Sequence, residues 1–172
     1  VASEAFYHHG NTSLEGAMVT MSQTFKNSLP LLEGVGQFGS LRSPSAGAPR
    51  YISAKLHPNF RLIYQDFELL KNRIEEGQEI EPEYFLPIVP TVILNGSSGI
   101  AVGFATNILN RNPKTVVKAC LNELQNKKLP KLPPWVEGFK GKFERHPDNP
   151  KTWKIEGNYE IINSNTVKVT EI

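Results

Sequence analysis

Arg50 and Tyr51 stand side by side in the stretch SPSAGAPRYI. A tyrosine oxygen can attack a phosphorus, and an arginine beside it can hold the phosphate and offset the charge that builds there. A phenol with a pKa of about 10 is a weak nucleophile at neutral pH. A neighbouring guanidinium favours the phenolate, and its planar fork of donors matches a phosphate. Ser45, Ala46, Gly47, Ala48 and Pro49 lead into the pair. These small or turn-forming residues pack no core and read as a bare loop that a bulky polymer could approach. The same pair also fits an ordinary surface loop, so the residue types alone leave both readings open.

Three other clusters bear on chemistry. His8 and His9 are adjacent, so they do not share a helix face and make a poor two-ligand metal pair. At a helix start they suit phosphate contact instead. Gly34-Val35-Gly36-Gln37-Phe38-Gly39-Ser40 is glycine-rich but lacks the lysine of a nucleotide-binding P-loop, and that function is excluded. Asn95-Gly96-Ser97-Ser98-Gly99 reads as a tight turn with Ile100 at its exit. That isoleucine is either the core residue of a hairpin or an apolar wedge for insertion between DNA base pairs.

The elements that must position these residues follow from periodicity. Thr12-Ser13-Leu14-Glu15 matches a capping box, with Thr12 as the N-cap. Leu14, Ala17, Met18, Met21 and Phe25 then recur at helical spacing, which predicts a helix to about residue 27. Residues 30–50 read as loop and Tyr51 to Leu56 as a short strand. Phe60, Ile63, Tyr64, Phe67, Leu70 and Ile74 form one stripe, which predicts a second helix from Pro58 to Glu75-Glu76-Gly77. The acidic stretch from Glu75 to Glu83 reads as an exposed connection, IVPTVIL as a buried strand and IAVGFAT as a second apolar run. A third helix is expected from Thr115 to about Lys127, with Val117, Cys120, Leu121 and Leu124 inward. Beyond the proline-rich LPKLPPW, four short strands follow: GFKGKFER, TWKIEG, NYEII and TVKVTEI, the last two joined through Asn163-Ser164-Asn165.

The chain has 172 residues, 39% hydrophobic and 21% charged, an ordinary globular composition for one domain or two small ones. It has no apolar run of membrane-spanning length and no signal-peptide pattern. With Cys120 as its one cysteine it forms no internal disulfide, which fits a reducing compartment. The net charge of +2 is unremarkable, but residues 127–154 carry eight lysines and arginines against three acidic side chains. Such a segment is either a phosphate-gripping surface or a solvated face. The chain begins without methionine and stops inside an alternating pattern, so it reads as a segment of a longer protein.

Singly these signals are weak, but their order is specific. YHHG, GQFGS, a small-residue loop ending in PRYI, and LNGSSGIAVGFATNI together closely resemble the breakage-reunion subunit of type II DNA topoisomerases. PWVEGFKGKFER and the closing KVTEI resemble the start of that family's tower domain, so the resemblance covers nearly the whole chain. The LNGSSGIAVGF motif is close to the bacterial gyrase form, whereas YHHG and PWVEGFKG look eukaryotic. That mixture is most similar to the phage branch of the family.

The resemblance implies an α+β fold. A winged-helix DNA-binding domain would occupy residues 1–90, with its first part upstream of Val1, and the start of a tower domain residues 91–172. It implies transient double-strand cleavage with ATP-dependent strand passage. Tyr51 would be the nucleophile, Arg50 would stabilise the phosphorane, and His9 would lie close to the scissile phosphate. His8, Thr12, Arg42, Lys55 and Ile100 would face DNA, with Ile100 intercalating. Thr12 and Gly16 match positions that line a drug pocket in related enzymes. Double-stranded DNA is the implied substrate and the full-length protein an implied homodimer. Mg²⁺ would be held mainly by a partner TOPRIM domain, and ATP by a partner ATPase subunit. No metal ligand is assigned in this chain. A cytoplasmic location without membrane attachment is expected, in the host cell if phage-encoded. The alternative is a winged-helix DNA-binding module without catalysis.

Overall fold

The computed structural model describes Tyr7 and residues 9–172. Its first element, α1 (Asn11–Ser22), begins one residue before the expected capping box. Gly10 is the N-cap and offers no side chain, so Thr12 sits inside the first turn rather than capping it. The helix also stops five residues early. Ser22 turns its hydroxyl back onto the carbonyl of Met18 at 2.8 Å. The Asn27 amide then donates to the carbonyls of Thr20 and Gln23 at 2.7 and 2.9 Å, which satisfies C-terminal acceptors and bends the chain away.

Residues 30–50 are not all loop. Leu32–Val35 forms β1, which pairs antiparallel with β2 (Ser53–Leu56) in the register Leu32↔Leu56 to Val35↔Ser53. Its glycine and short length hide it from a periodicity reading.

The second predicted helix is the largest correction. Helix α2 spans only Pro58–Ile63, with His57 Nδ1 accepting from the Asn59 amide at 3.1 Å. A 3₁₀ turn at Phe67–Leu69 follows, then β3 (Asn72–Glu75) and β4 (Gln78–Pro82). The apolar stripe is right for its first half. Phe60 packs against Tyr64 and Phe67 with ring centroids 5.0 and 5.9 Å apart, and Phe85 closes the cluster. It fails after Leu70 because Glu76 and Gly77 both take positive φ, at 49° and 79°. That is the geometry of a two-residue hairpin turn rather than a helix stop. Ile74 therefore lies 70% exposed on β3, and the acidic stretch is a strand whose Glu81 holds Arg73 at 2.8 Å.

IVPTVIL is likewise not a strand. Pro90 caps a single helical turn, α3 (Thr91–Leu94), which buries Leu94. Strands β5 (Ser97–Ala101) and β6 (Phe104–Ile108) form a hairpin that turns at Val102-Gly103, not at Asn95–Gly99. Helix α4 (Pro113–Leu124) is capped by the Asn112 side chain. It is rotated from the expected orientation: Val116 is 1% exposed, Val117 is 43% and Leu124 is 81%. Val116→Ala is accordingly expected to cost about 2 kcal/mol, and Val117→Ala less than about half of that, in thermal or urea unfolding.

The closing strands fall where the alternation puts them: β7 (Lys142–Arg145), β8 (Trp153–Glu156), β9 (Asn158–Asn163) and β10 (Thr166–Glu171). Asn163 pairs with Thr166, and its side chain accepts from the Asn165 amide within the turn. They form two separate two-stranded ribbons, β7–β8 and β9–β10, rather than one larger sheet. The fold is α+β, with few helices and five small antiparallel sheets among the described residues. No helix among them is long and apolar enough to cross a membrane. Among the described residues the tightly buried apolar ones are few: Phe38, Ile63, Tyr64, Leu94 and Val116.

Candidate active site

The β1–β2 ladder brings residues 35 and 53 together, and the seventeen residues between them form the loop that ends in Arg50 and Tyr51. This loop is not bare. Phe38 is buried at its base, and its ring occupies the space over Gly34, where an added Cβ would lie 2.4 Å from the ring. Gly39 turns the chain with φ +82°, packed against the backbone of Ser43 and Pro44. Ser40 and Ser43 exchange backbone hydrogen bonds of 2.8 and 3.1 Å, which close the outer turn. The Gly47 amide then donates to the Gln37 carbonyl at 2.9 Å, so the returning leg is tied to the outgoing one. Gly47 lies against the outgoing leg, where an added Cβ would meet Ile52 and Gln37 at 3.5–3.7 Å.

Pro49 starts a single 3₁₀ turn, Pro49–Tyr51, stabilised by the Tyr51 amide donating to the Ala48 carbonyl at 2.9 Å. Ile52 points inward beneath it, with its Cγ2 close to Gly36 and Gly47. Tyr51 therefore points outward and is 77% exposed. The Arg50 guanidinium lies 5.5 Å from the centre of the Tyr51 ring. A cleft of about 170 Å³ opens beside this turn, between Met18 and Val19 of α1 and Phe38, Pro49 and Ile52 of the loop.

The other predicted positions scatter around this pair. His9 is exposed and meets the Tyr7 ring edge-on at 5.5 Å, just ahead of α1. His8 lies outside the described residues. Thr12 and Gly16 are exposed on α1, and Arg42 is exposed in the Ser40–Ser43 turn. Lys55 pairs across the ladder with Glu33 at 3.4 Å. Both partners are well solvated, so that contact holds the lysine only weakly. Ile100 is 94% exposed on β5, next to the hairpin tip. Among the described residues, no hydrogen bond, ion pair or ring contact joins His9, Thr12, Arg42 or Ile100 to Arg50 or Tyr51.

Two asparagines that periodicity does not mark anchor the Ile100 hairpin. Asn95 makes a reciprocal pair with the backbone of Leu29, accepting from its amide and donating to its carbonyl, both at 2.8 Å. Asn110 donates to the Lys26 carbonyl at 2.8 Å and to Ser28 Oγ at 3.2 Å. The hairpin is thereby rooted on the segment that leaves α1. No group of three or more His, Cys, Asp or Glu able to hold a metal ion occurs among the described residues.

The family model of the DNA gyrase/topoisomerase IV A-subunit matches residues 1–172. The chain is 39% identical over 166 residues to the DNA topoisomerase medium subunit of Enterobacteria phage T4, covering 96% of this chain and 37% of that protein. It is 37% identical over 175 residues to DNA topoisomerase 2 of Plasmodium falciparum, covering 98% of this chain and 12% of that protein. The crystal structure of the Plasmodium falciparum topoisomerase II DNA-binding, cleavage and re-ligation domain superposes with a TM-score of 0.87 at 35% identity, over 98% of this chain and 24% of that one. The chain thus spans little more than a third of the phage protein and about an eighth of the Plasmodium enzyme. Across its whole length it belongs to the DNA gyrase/topoisomerase IV A-subunit family, the breakage-reunion subunits of type II DNA topoisomerases.

Proposed function

We propose that this chain is the DNA-gate segment of an ATP-dependent type II topoisomerase and that Tyr51 is its nucleophile. The observation that carries the reading is the outward Tyr51 on a short, internally bonded 3₁₀ turn, with Arg50 against its ring. A phosphodiester of a long polymer can reach a side chain presented in this way, which a buried tyrosine would not allow.

In the reaction, the Tyr51 oxygen attacks a backbone phosphorus as the phenol gives up its proton to solvent. The bond from phosphorus to the 3′ oxygen breaks, and that oxygen leaves as a 3′-hydroxyl after taking up a proton. The product is a 5′-phosphotyrosyl link that keeps the bond energy of the phosphodiester, so the reverse attack reseals the strand without external energy. Arg50 acts where charge develops, on the non-bridging oxygens of the phosphorane. His9 stands before a helix N-terminus that has no side-chain cap, a position suited to phosphate. His8, Thr12, Arg42 and Lys55 extend the DNA-facing surface. Two copies cutting opposite strands would open the double-strand gate, and the full-length protein would be a homodimer. Residues 1–90 would form the winged-helix unit and residues 91–172 the start of the tower. Mg²⁺ would help neutralise the reacting phosphate, supplied with ATP turnover by partner TOPRIM and ATPase subunits.

Ile100 is assigned to bending the DNA. An isoleucine this exposed gains little by folding and much by insertion between base pairs. Ile100→Ala is expected to leave the melting temperature unchanged, reduce the DNA bend seen by energy transfer between labelled ends, and lower cleavage about tenfold.

The reading is tested by covalent trapping. The full-length subunit is mixed with its partner subunits, Mg²⁺ and end-labelled duplex, quenched with detergent, and the attached residue identified by peptide mass. A 5′-linked adduct on Tyr51 is the expected result. Adduct on another residue would reassign the nucleophile, and none at all would leave a DNA-binding module without catalysis.

A further inference from the structure

Gln23 is 2% exposed at the turn that ends α1. Its Nε2 donates both hydrogens, one to the Phe38 carbonyl at 2.8 Å and one to the Pro44 carbonyl at 2.9 Å. These acceptors lie on opposite legs of the loop that carries Arg50 and Tyr51. Two carbonyls can only face an NH₂, so the orientation of the amide is fixed by its partners. Its Oε1 is buried with no hydrogen-bond partner among the described residues. A buried acceptor left unpaired is costly, and an apolar side chain of similar length would fill this space without that cost. The amide is therefore explained by what its nitrogen does rather than by the volume it fills.

We propose that Gln23 is a positioning residue for the Arg50–Tyr51 turn, a role that rests on the reading of Tyr51 as nucleophile. Between Pro44 and Arg50 the chain is Ser45, Ala46, Gly47, Ala48 and Pro49, which offer few side-chain contacts. The place of the turn is then set by bonds to the backbone, and beyond the Ser40–Ser43 pair at the loop's outer end those that join the two legs include the Gln23 bridge and the bond from Gly47 to Gln37. Gln23 is itself held from behind. Its carbonyl accepts from the Lys26 and Asn27 amides, each at 3.1 Å, and from the Asn27 side chain at 2.9 Å. The same turn continues into Lys26, Ser28 and Leu29, on which Asn95 and Asn110 root the Ile100 hairpin. Gln23 thus joins the nucleophile loop to the segment that bears the hairpin.

The test is single-turnover cleavage by the full-length subunit with its partner subunits, comparing wild type with Gln23→Met and Gln23→Glu. Both variants keep the length of the side chain; Gln23→Met removes both donors, and Gln23→Glu leaves at most one O–H, which cannot bridge the two carbonyls. A displaced nucleophile slows attack and resealing alike, so the final amount of adduct should match wild type. Its rate of appearance should fall about 100-fold, the loss that a displacement of about 1 Å can bring, with DNA affinity within about twofold. Two results would overturn the proposal: adduct forming at the wild-type rate, or a reduced final amount at an unchanged rate, since the latter reports fewer folded molecules and a merely structural glutamine. If wild type itself forms no adduct on Tyr51, the cleavage reading fails and this role falls with it; if only the variants behave as wild type, Gln23 alone is misassigned.

Discussion

Tyr51→Phe is expected to abolish the covalent adduct while leaving the protein folded and bound to DNA. The side chain is 77% exposed and its ring lies beside the Arg50 guanidinium, so removing one oxygen changes stability by no more than about 0.5 kcal/mol. Cleavage has no second route if the phenol oxygen is the attacking atom, and the rate should fall on the order of 10⁴-fold or more, as when other nucleophiles are deleted. Arg50→Ala should act differently. It removes a donor to the developing phosphorane charge but not the attacking atom, so a loss of about 10² to 10³-fold in rate is expected. Relaxation of supercoiled DNA by the reconstituted enzyme and detergent-trapped adduct measure the two losses on one preparation. Full relaxation by Tyr51→Phe would leave the tyrosine structural and the chain a DNA-binding module.

Arg50 and Tyr51 are singled out by the order of YHHG, GQFGS, PRYI and LNGSSGIAVGF, which resembles a known family, because the residue types of the pair fit a surface loop equally well. What the sequence hides is the scaffold beneath them. A periodicity reading has no means to single out Gln23, since a lone glutamine near a helix end resembles any solvated polar residue, yet it is buried and bridges two carbonyls. Asn95 and Asn110 are hidden for the same reason: their partners lie 66 and 84 positions away in the chain. The late ribbons are legible because strict alternation and the Asn163-Ser164-Asn165 turn agree with each other. The stripe from Phe60 to Ile74 misleads because its first members do share one face, and the positive φ of Glu76 and Gly77 then outweighs a helical spacing that continues by coincidence.

Gly39 offers the sharpest check that this loop is a packed structure. Its φ is +82°, which costs a side-chain-bearing residue about 1–2 kcal/mol. An added Cβ would also stand 2.8 Å from the Pro44 carbonyl carbon and oxygen and 2.9 Å from the Ser43 oxygen. These are backbone atoms that cannot rotate aside, so relief requires the Ser40–Ser43 turn to open. Overpacking of this kind adds about 1–3 kcal/mol, and Gly39→Ala should therefore destabilise the fold by about 2–5 kcal/mol in urea unfolding. The turn carries Pro44, one of the two carbonyls held by Gln23, so opening it shifts the leg that leads to Tyr51. Adduct should then form about 100-fold more slowly even at temperatures where the variant remains folded. Gly77→Ala is the matched control: it also has positive φ, at +79°, but nothing lies within 4 Å of its added Cβ, and it sits on the β3–β4 hairpin away from the loop. It should cost only the conformational strain of about 1–2 kcal/mol and leave cleavage intact. Equal effects of the two substitutions on cleavage would mean that the loop does not hold Tyr51 in place.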